Sequence, residues 1–162
     1  LIELYNTSLI PKYGDKLIKI LTSEGKNMEK IINFEMSFEN YIITNKYYLT
    51  LTDILVLSQY YEIGVLFIVD YKISKPDKQT ITFIKNGDFN EYAVIKIDKK
   101  ASEHQNKYEQ APHYKLFINM ENENCFISLD SIEKKNVVNY ITMDEYITNK
   151  NQNKKGKIKL ND

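Results

Sequence analysis

Five consecutive apolar residues, Val65-Leu66-Phe67-Ile68-Val69, constrain this chain more than any other feature. A surface helix shows apolar residues every third or fourth position, and a half-buried strand every second. An unbroken run of strand length fits a strand buried on both faces, in the middle of a sheet covered on each side. The segment before it reads as a helix. Thr52 is an N-cap, Asp53 stands in the first turn against the helix dipole, Ile54, Leu55, Leu57, Ser58 and Tyr61 follow, and Gly64 is the C-cap. Gln59, Tyr60, Tyr61 and Glu62 interrupt Ile54–Ile68, which is too short and too polar to span a membrane.

The rest of the chain is read around this helix and strand. Asp15 caps a helix over Lys16–Ser23 that Gly25 ends. Asn27 opens a second helical segment through Met28, Ile31, Ile32 and Phe34, and Met36–Ile43 is a third short segment of open type. Asp70–Gln79, with Pro76 and Asp77, reads as a loop. Thr80–Ile84 alternates as a strand, and the turn Asn86-Gly87-Asp88 predicts a hairpin with Tyr92–Ile97. Lys99–Pro112 is a polar loop, His113–Asn119 and Cys125–Leu129 are strands about the turn Asn122-Glu123-Asn124, and Ser131–Ile147 is a closing helix. The expected fold is α/β in the α+β sense: a mixed, mostly antiparallel sheet packed with N-terminal helices, forming one domain over residues 1–147. Residues 148–162, rich in Lys and Asn, carry too little apolar surface to offset chain entropy and are expected to form a flexible tail.

Charge narrows the function. The 22 basic and 22 acidic residues cancel, and every basic residue is lysine. Arginine supplies the planar fork that reads phosphate and guanine, so this balance argues against a nucleic-acid reader. One cysteine, Cys125, excludes an internal disulfide and a cysteine-based metal site and suits the cytoplasm. There is no glycine-rich phosphate loop and no secretory-type N-terminus. Neither a cofactor nor a bound metal is expected.

Four stretches carry a resemblance. They are Leu49-Thr50-Leu51-Thr52-Asp53-Ile54-Leu55, Gly64-Val65-Leu66-Phe67-Ile68, Tyr92-Ala93-Val94-Ile95-Lys96-Ile97 and Pro112-His113-Tyr114-Lys115-Leu116-Phe117. Their order, a capped helix, an apolar strand, intervening strands and then His-Tyr leading a strand, resembles the C-terminal half of ovarian-tumour-type (OTU) cysteine proteases over residues 49–118. It is similar also to the OTU-like domains within large proteins of nucleocytoplasmic large DNA viruses, whose AT-rich genomes would account for the Lys, Asn and Ile excess. The resemblance implies that His113 is a general base and that the partner is a ubiquitin-like or viral protein. The family's nucleophile stands in an Asp-Gly-x-Cys motif at an early helix N-terminus, where a thiol is readily ionised. No cysteine precedes His113, and Cys125 follows it by twelve residues within an expected strand. The implied function is therefore a non-catalytic OTU-like scaffold or protein-binding module of a larger viral protein. The alternative is an active cysteine deubiquitinase fragment whose nucleophile lies outside this chain.

A second alternative starts at Asp70-Tyr71-Lys72, where a carboxylate, a spacer and a lysine end the apolar strand. This resembles the metal corner of restriction-type PD-(D/E)xK nucleases, in which the carboxylate holds Mg²⁺ and the lysine steadies the attacking water. Such a site requires a further carboxylate, and Asp53 and Glu62 are the nearby ones. Glu121-Asn122-Glu123-Asn124 lacks the glycine of a calcium loop and reads as a turn. His104 and His113 match no metal spacing. Tyr41, Tyr47, Tyr48, Tyr60, Tyr61 and Tyr114 read mainly as core or core edge, with a partner surface as the minor reading. Lys150, Lys154, Lys155, Lys157 and Lys159 read as a solvated linker.

Overall fold

The computed structural model describes residues 1–75, 78–98, 112–119 and 123–149. The N-terminal third is helical. Helix α1 (Ile2–Leu4) runs through a π-helical turn, Tyr5–Leu9, into α2 (Ile10–Tyr13), followed by α3 (Asp15–Ser23), α4 (Glu29–Ile32) and α5 (Phe38–Ile42). Pro11 stands at the second position of α2, directly after the π-helical turn. Helix α5 starts at Ser37, whose hydroxyl accepts from the Asn40 N–H at 3.1 Å. Helix α6 (Leu51–Tyr60) leads into the sheet.

The sheet contains β1 (Val65–Lys75), β2 (Lys78–Lys85), β3 (Tyr92–Ile97), β4 (Tyr114–Leu116), β5 (Phe126–Ile127) and β6 (Asn136–Thr142). Two more helices, α7 (Leu129–Glu133) and α8 (Met143–Asn149), flank β6. The strand order is β4-β3-β1-β2-β6, and β5 also pairs with β3. The β1/β2, β3/β4 and β3/β5 pairs are antiparallel; β1/β3 and β2/β6 are parallel. The protein is thus a mixed α+β fold with a mostly antiparallel sheet and N-terminal helices, as its pattern implied.

The central strand lies where the apolar run placed it. Val65 and Phe67 point into one cluster with Leu51, Leu55, Ile84 and Ala93, and Leu66 points into another with Ile81, Phe83, Tyr92, Val94 and Ile132. Leu66 is 0% and Phe67 1% exposed, so both faces of β1 are covered. A third cluster holds the N-terminal helices together around Tyr5, Leu17, Ile20, Leu21, Met28 and Phe38, and Ile147 of α8 completes it.

Four expectations need correction. The stretch 70–79 is not a loop: β1 extends to Lys75 and β2 begins at Lys78. The hairpin therefore joins β1 to β2. β3 pairs with β1 in parallel rather than with β2, because β1 has already taken the edge of β2 that a hairpin through Asn86-Gly87-Asp88 would use. The expected helix over Ser131–Ile147 is a short helix, a strand and a helix. Val137, Val138 and Ile141 are β-branched residues spaced for a strand, and they lie in β6. The α6 boundaries also move. Thr50 is the N-cap, and Glu62, in the left-handed region at φ 56°, ends the helix. Gly64 serves close approach instead, since a Cβ there would lie 2.3 Å from the Glu91 carbonyl oxygen. Of the expected loop Lys99–Pro112, residues 99–111 lie outside the described residues, as do residues 150–162 of the expected tail 148–162, whose first two residues instead end α8.

Candidate functional site

The most unusual chemistry is interior, and a helix terminus creates it. After α3 the chain makes a Schellman turn. Gly25 adopts φ 95°, its N–H reaches the Thr22 carbonyl at 3.0 Å, and the Lys26 N–H reaches the Leu21 carbonyl at 3.0 Å. The residue after the left-handed position normally tucks an apolar side chain against the helix. Here that residue is a lysine, and the turn carries Lys26 into the core at 2% exposure.

Lys26 meets Asp53, which the first turn of α6 presents from the opposite side. Both side chains are 0% exposed, and the ammonium forms a salt bridge to Asp53 Oδ2. It also donates to the Tyr47 hydroxyl and lies 3.7 Å from the centre of that ring, a cation–π geometry. The Asp53 carboxylate is saturated. Oδ1 accepts from Tyr5 and, at 2.6 Å, from Tyr47; Oδ2 accepts from the Thr50 N–H at 2.8 Å and the Thr50 hydroxyl at 3.2 Å. The Thr50 contact is one half of a capping box, reaching from the third helical residue back to the N-cap.

A second carboxylate binds the same helix end. Glu24 accepts from the Thr52 N–H at 3.2 Å, the Thr52 hydroxyl at 2.7 Å and the Tyr146 hydroxyl at 2.9 Å. Tyr48 donates to the Gly25 carbonyl at 2.5 Å. One polar cluster thus ties the α3 terminus, the N-terminal helix, α6 and α8 together.

Burial shifts the ionisable members. Loss of solvent pushes the Lys26 ammonium below its ordinary pKa, with Asp53 opposing the shift. Burial, and then the charge of Asp53, raises Tyr5 and Tyr47; burial, and then Glu24, raises Tyr146. Such shifts often mark an active centre. Here the donors and acceptors are spent on one another: among the described residues no buried side-chain nitrogen or oxygen lacks a partner. Beside it lies a shallow depression of about 230 Å³ lined by Thr22, Lys26, Asn27, Met28, Glu29, Ile32 and Asn33.

The residues singled out in the sequence fall elsewhere. His113 is exposed before β4, and its carbonyl accepts from the Asp98 N–H at 2.7 Å. Tyr114 packs edge-on against Phe67, with ring centres 5.9 Å apart, and donates to the Leu49 carbonyl at 3.2 Å. Cys125 is half-buried just before β5. Both β4 and β5 run along the same edge of β3, where Asp98 meets His113 and Ala93 meets Phe126. Continued by one residue, that register sets the backbones of His113 and Cys125 opposite positions of β3 roughly 13 Å apart.

Asp70 and Lys72 do meet, with Nζ 3.4 Å from Oδ2, on a largely exposed part of β1. Of the two carboxylates that the nuclease reading could use, Asp53 is committed to Lys26 and Glu62 is exposed just past the end of α6. Among the described residues no three His, Cys, Asp or Glu side chains are placed to hold a metal. Tyr41 and Tyr47 belong to the core or its edge, whereas Tyr60 and Tyr61 are 60% and 66% exposed and stack edge-on at 5.1 Å. His104, Glu121, Asn122 and the tail lysines lie outside the described residues.

Lys26, Tyr5 and Glu24 were not anticipated. The readable signal was a lysine directly after a helix-ending glycine, at a position that favours an apolar residue.

No family model, no curated protein and no solved structure matches this chain. Among the described residues, no helix is long and apolar enough to cross a membrane.

Proposed function

We propose that this chain is a non-catalytic, protein-binding module, and that its OTU-like layout serves as a scaffold in a cytoplasmic setting. Phe34 carries the reading. It follows α4 in the left-handed region at φ 59° and is 96% exposed. An aromatic side chain there costs about 1–3 kcal/mol of backbone strain and leaves a large apolar surface in water. Glycine would relieve both. Ile32, beside it in sequence, is 52% exposed and lines the shallow depression. A strained, bare aromatic next to a concavity suits an anchor that a partner protein buries. The ionisable cluster supports the same reading, because its groups are occupied in holding elements together.

Two measurements test this. A photo-crosslinking residue at position 34 is expected to join the chain to a protein in cells, and the same residue at position 62 is not; equal yields would remove Phe34 as the anchor. A thiol-directed ubiquitin probe is expected to leave Cys125 unmodified. Modification that disappears in His113→Ala would establish a peptidase and overturn the proposal.

A further inference from the structure

The two edges of the sheet are built differently. On one side β4 and β5 supply three and two paired residues, separated by an excursion of the chain and bearing the exposed Lys115. Short strands, lysine and an interruption are the usual means of stopping an edge from pairing with another chain. On the other side lies β6, Asn136-Val137-Val138-Asn139-Tyr140-Ile141-Thr142, paired along its whole length with residues 79–85 of β2. It has seven residues, with no charge, no proline and no glycine. Among the described residues no strand pairs with its outer side. Val137 is 47% exposed and Asn139 is exposed.

The sequence of β6 is also self-complementary about Asn139. In antiparallel pairing across a two-fold axis at that residue, Val137 of one copy opposes Ile141 of the other, and Val138 opposes Tyr140. Asn136 opposes Thr142, and the two Asn139 amides face each other. β-Branched residues meet β-branched or aromatic ones, and polar residues meet polar ones, which are favourable cross-strand pairs. The window has defined ends. The Asn136 amide caps the Ile132 carbonyl at 2.9 Å, and the Thr142 N–H is taken by Glu145 at 2.8 Å. The helical layers are compatible: Val138 and Tyr140 pack with Ile132 on one face, and Ile141 packs on the other. A two-fold axis perpendicular to the sheet keeps these faces matched.

We infer that the protein forms a two-fold dimer in which β6 pairs antiparallel with β6 of a second copy, joining the two sheets into one. Antiparallel pairing closes on itself, whereas a head-to-tail contact would propagate.

Analytical ultracentrifugation of the full chain tests the inference. The wild type is expected to dimerise. Asn139→Lys and Asn139→Asp each place like charges opposite one another and are expected to weaken association by about tenfold or more, with circular dichroism unchanged because the side chain is exposed. Mixing the two variants is expected to restore a one-to-one dimer. A wild type that stays monomeric up to about 1 mM, an Asn139→Lys variant that associates like wild type, or variants that do not pair on mixing would each overturn the inference.

Discussion

Lys26 and Asp53 show how one residue can determine stability. Removing one member of a buried ion pair leaves the other charge without compensation, at a cost of about 3–5 kcal/mol. Lys26→Met is expected to lose that much in urea denaturation, and adding Asp53→Asn is expected to recover part of it by removing the stranded charge. The left-handed residues give the opposite sign. Phe34→Gly and Glu62→Gly each release strain at positive φ and are expected to gain about 1 kcal/mol, read as a higher Tm. If Phe34 is the anchor, only Phe34→Gly also loses binding.

Among the elements, α6 and β1 share one core cluster, Leu51 and Leu55 packing with Val65 and Phe67. Phe67→Ala removes a side chain that is 1% exposed in the central strand and is expected to cost about 3–5 kcal/mol in the same denaturation assay. Gly64→Ala is expected to loosen the β1/β3 junction, where the Gly64 carbonyl accepts from the Ala93 N–H at 2.8 Å and a methyl group would strike Glu91. This unit was legible in the sequence because its signals are local, an acidic first turn and an uninterrupted apolar run, although the cap lies at Thr50, two residues before the expected Thr52. The pairing of the other strands was not. Whether β3 joins β2 or β1 depends on which edge is already occupied, and no stretch near Asn86-Gly87-Asp88 records that. The candidate site was half legible. Asp53 was seen as a dipole partner, but its ionic partner is twenty-seven positions earlier, and their meeting is a tertiary event.

For the whole molecule, the polar cluster sets the response to pH. Tyr5, Tyr47 and Tyr146 have folded pKa values above the ordinary 10.0. Their contribution is complete below that pH and is lost as pH climbs toward the folded values. Lys26 acts in the reverse sense: its folded pKa is below the ordinary 10.5, so the cost of burying its charge shrinks as pH rises. Three tyrosines oppose one lysine, and the net expectation is a cooperative alkaline unfolding that starts near pH 10. Ionisation of Tyr5, Tyr47 and Tyr146, followed residue by residue by NMR, should track circular dichroism through the transition; their ionising well before the fold is lost would contradict the assignment.

The place of α8 has a consequence for synthesis. Ile147 completes the core of helices that begin at residue 2, and β6, directly before α8, covers the side of β2 that β1 leaves free. A nascent chain emerging from the ribosome must therefore wait for nearly its last described residues before either end is satisfied. Until then it exposes Ile81–Lys85 as a bare ladder, so stop codons placed between residues 128 and 142 should yield inclusion bodies, not a smaller working domain.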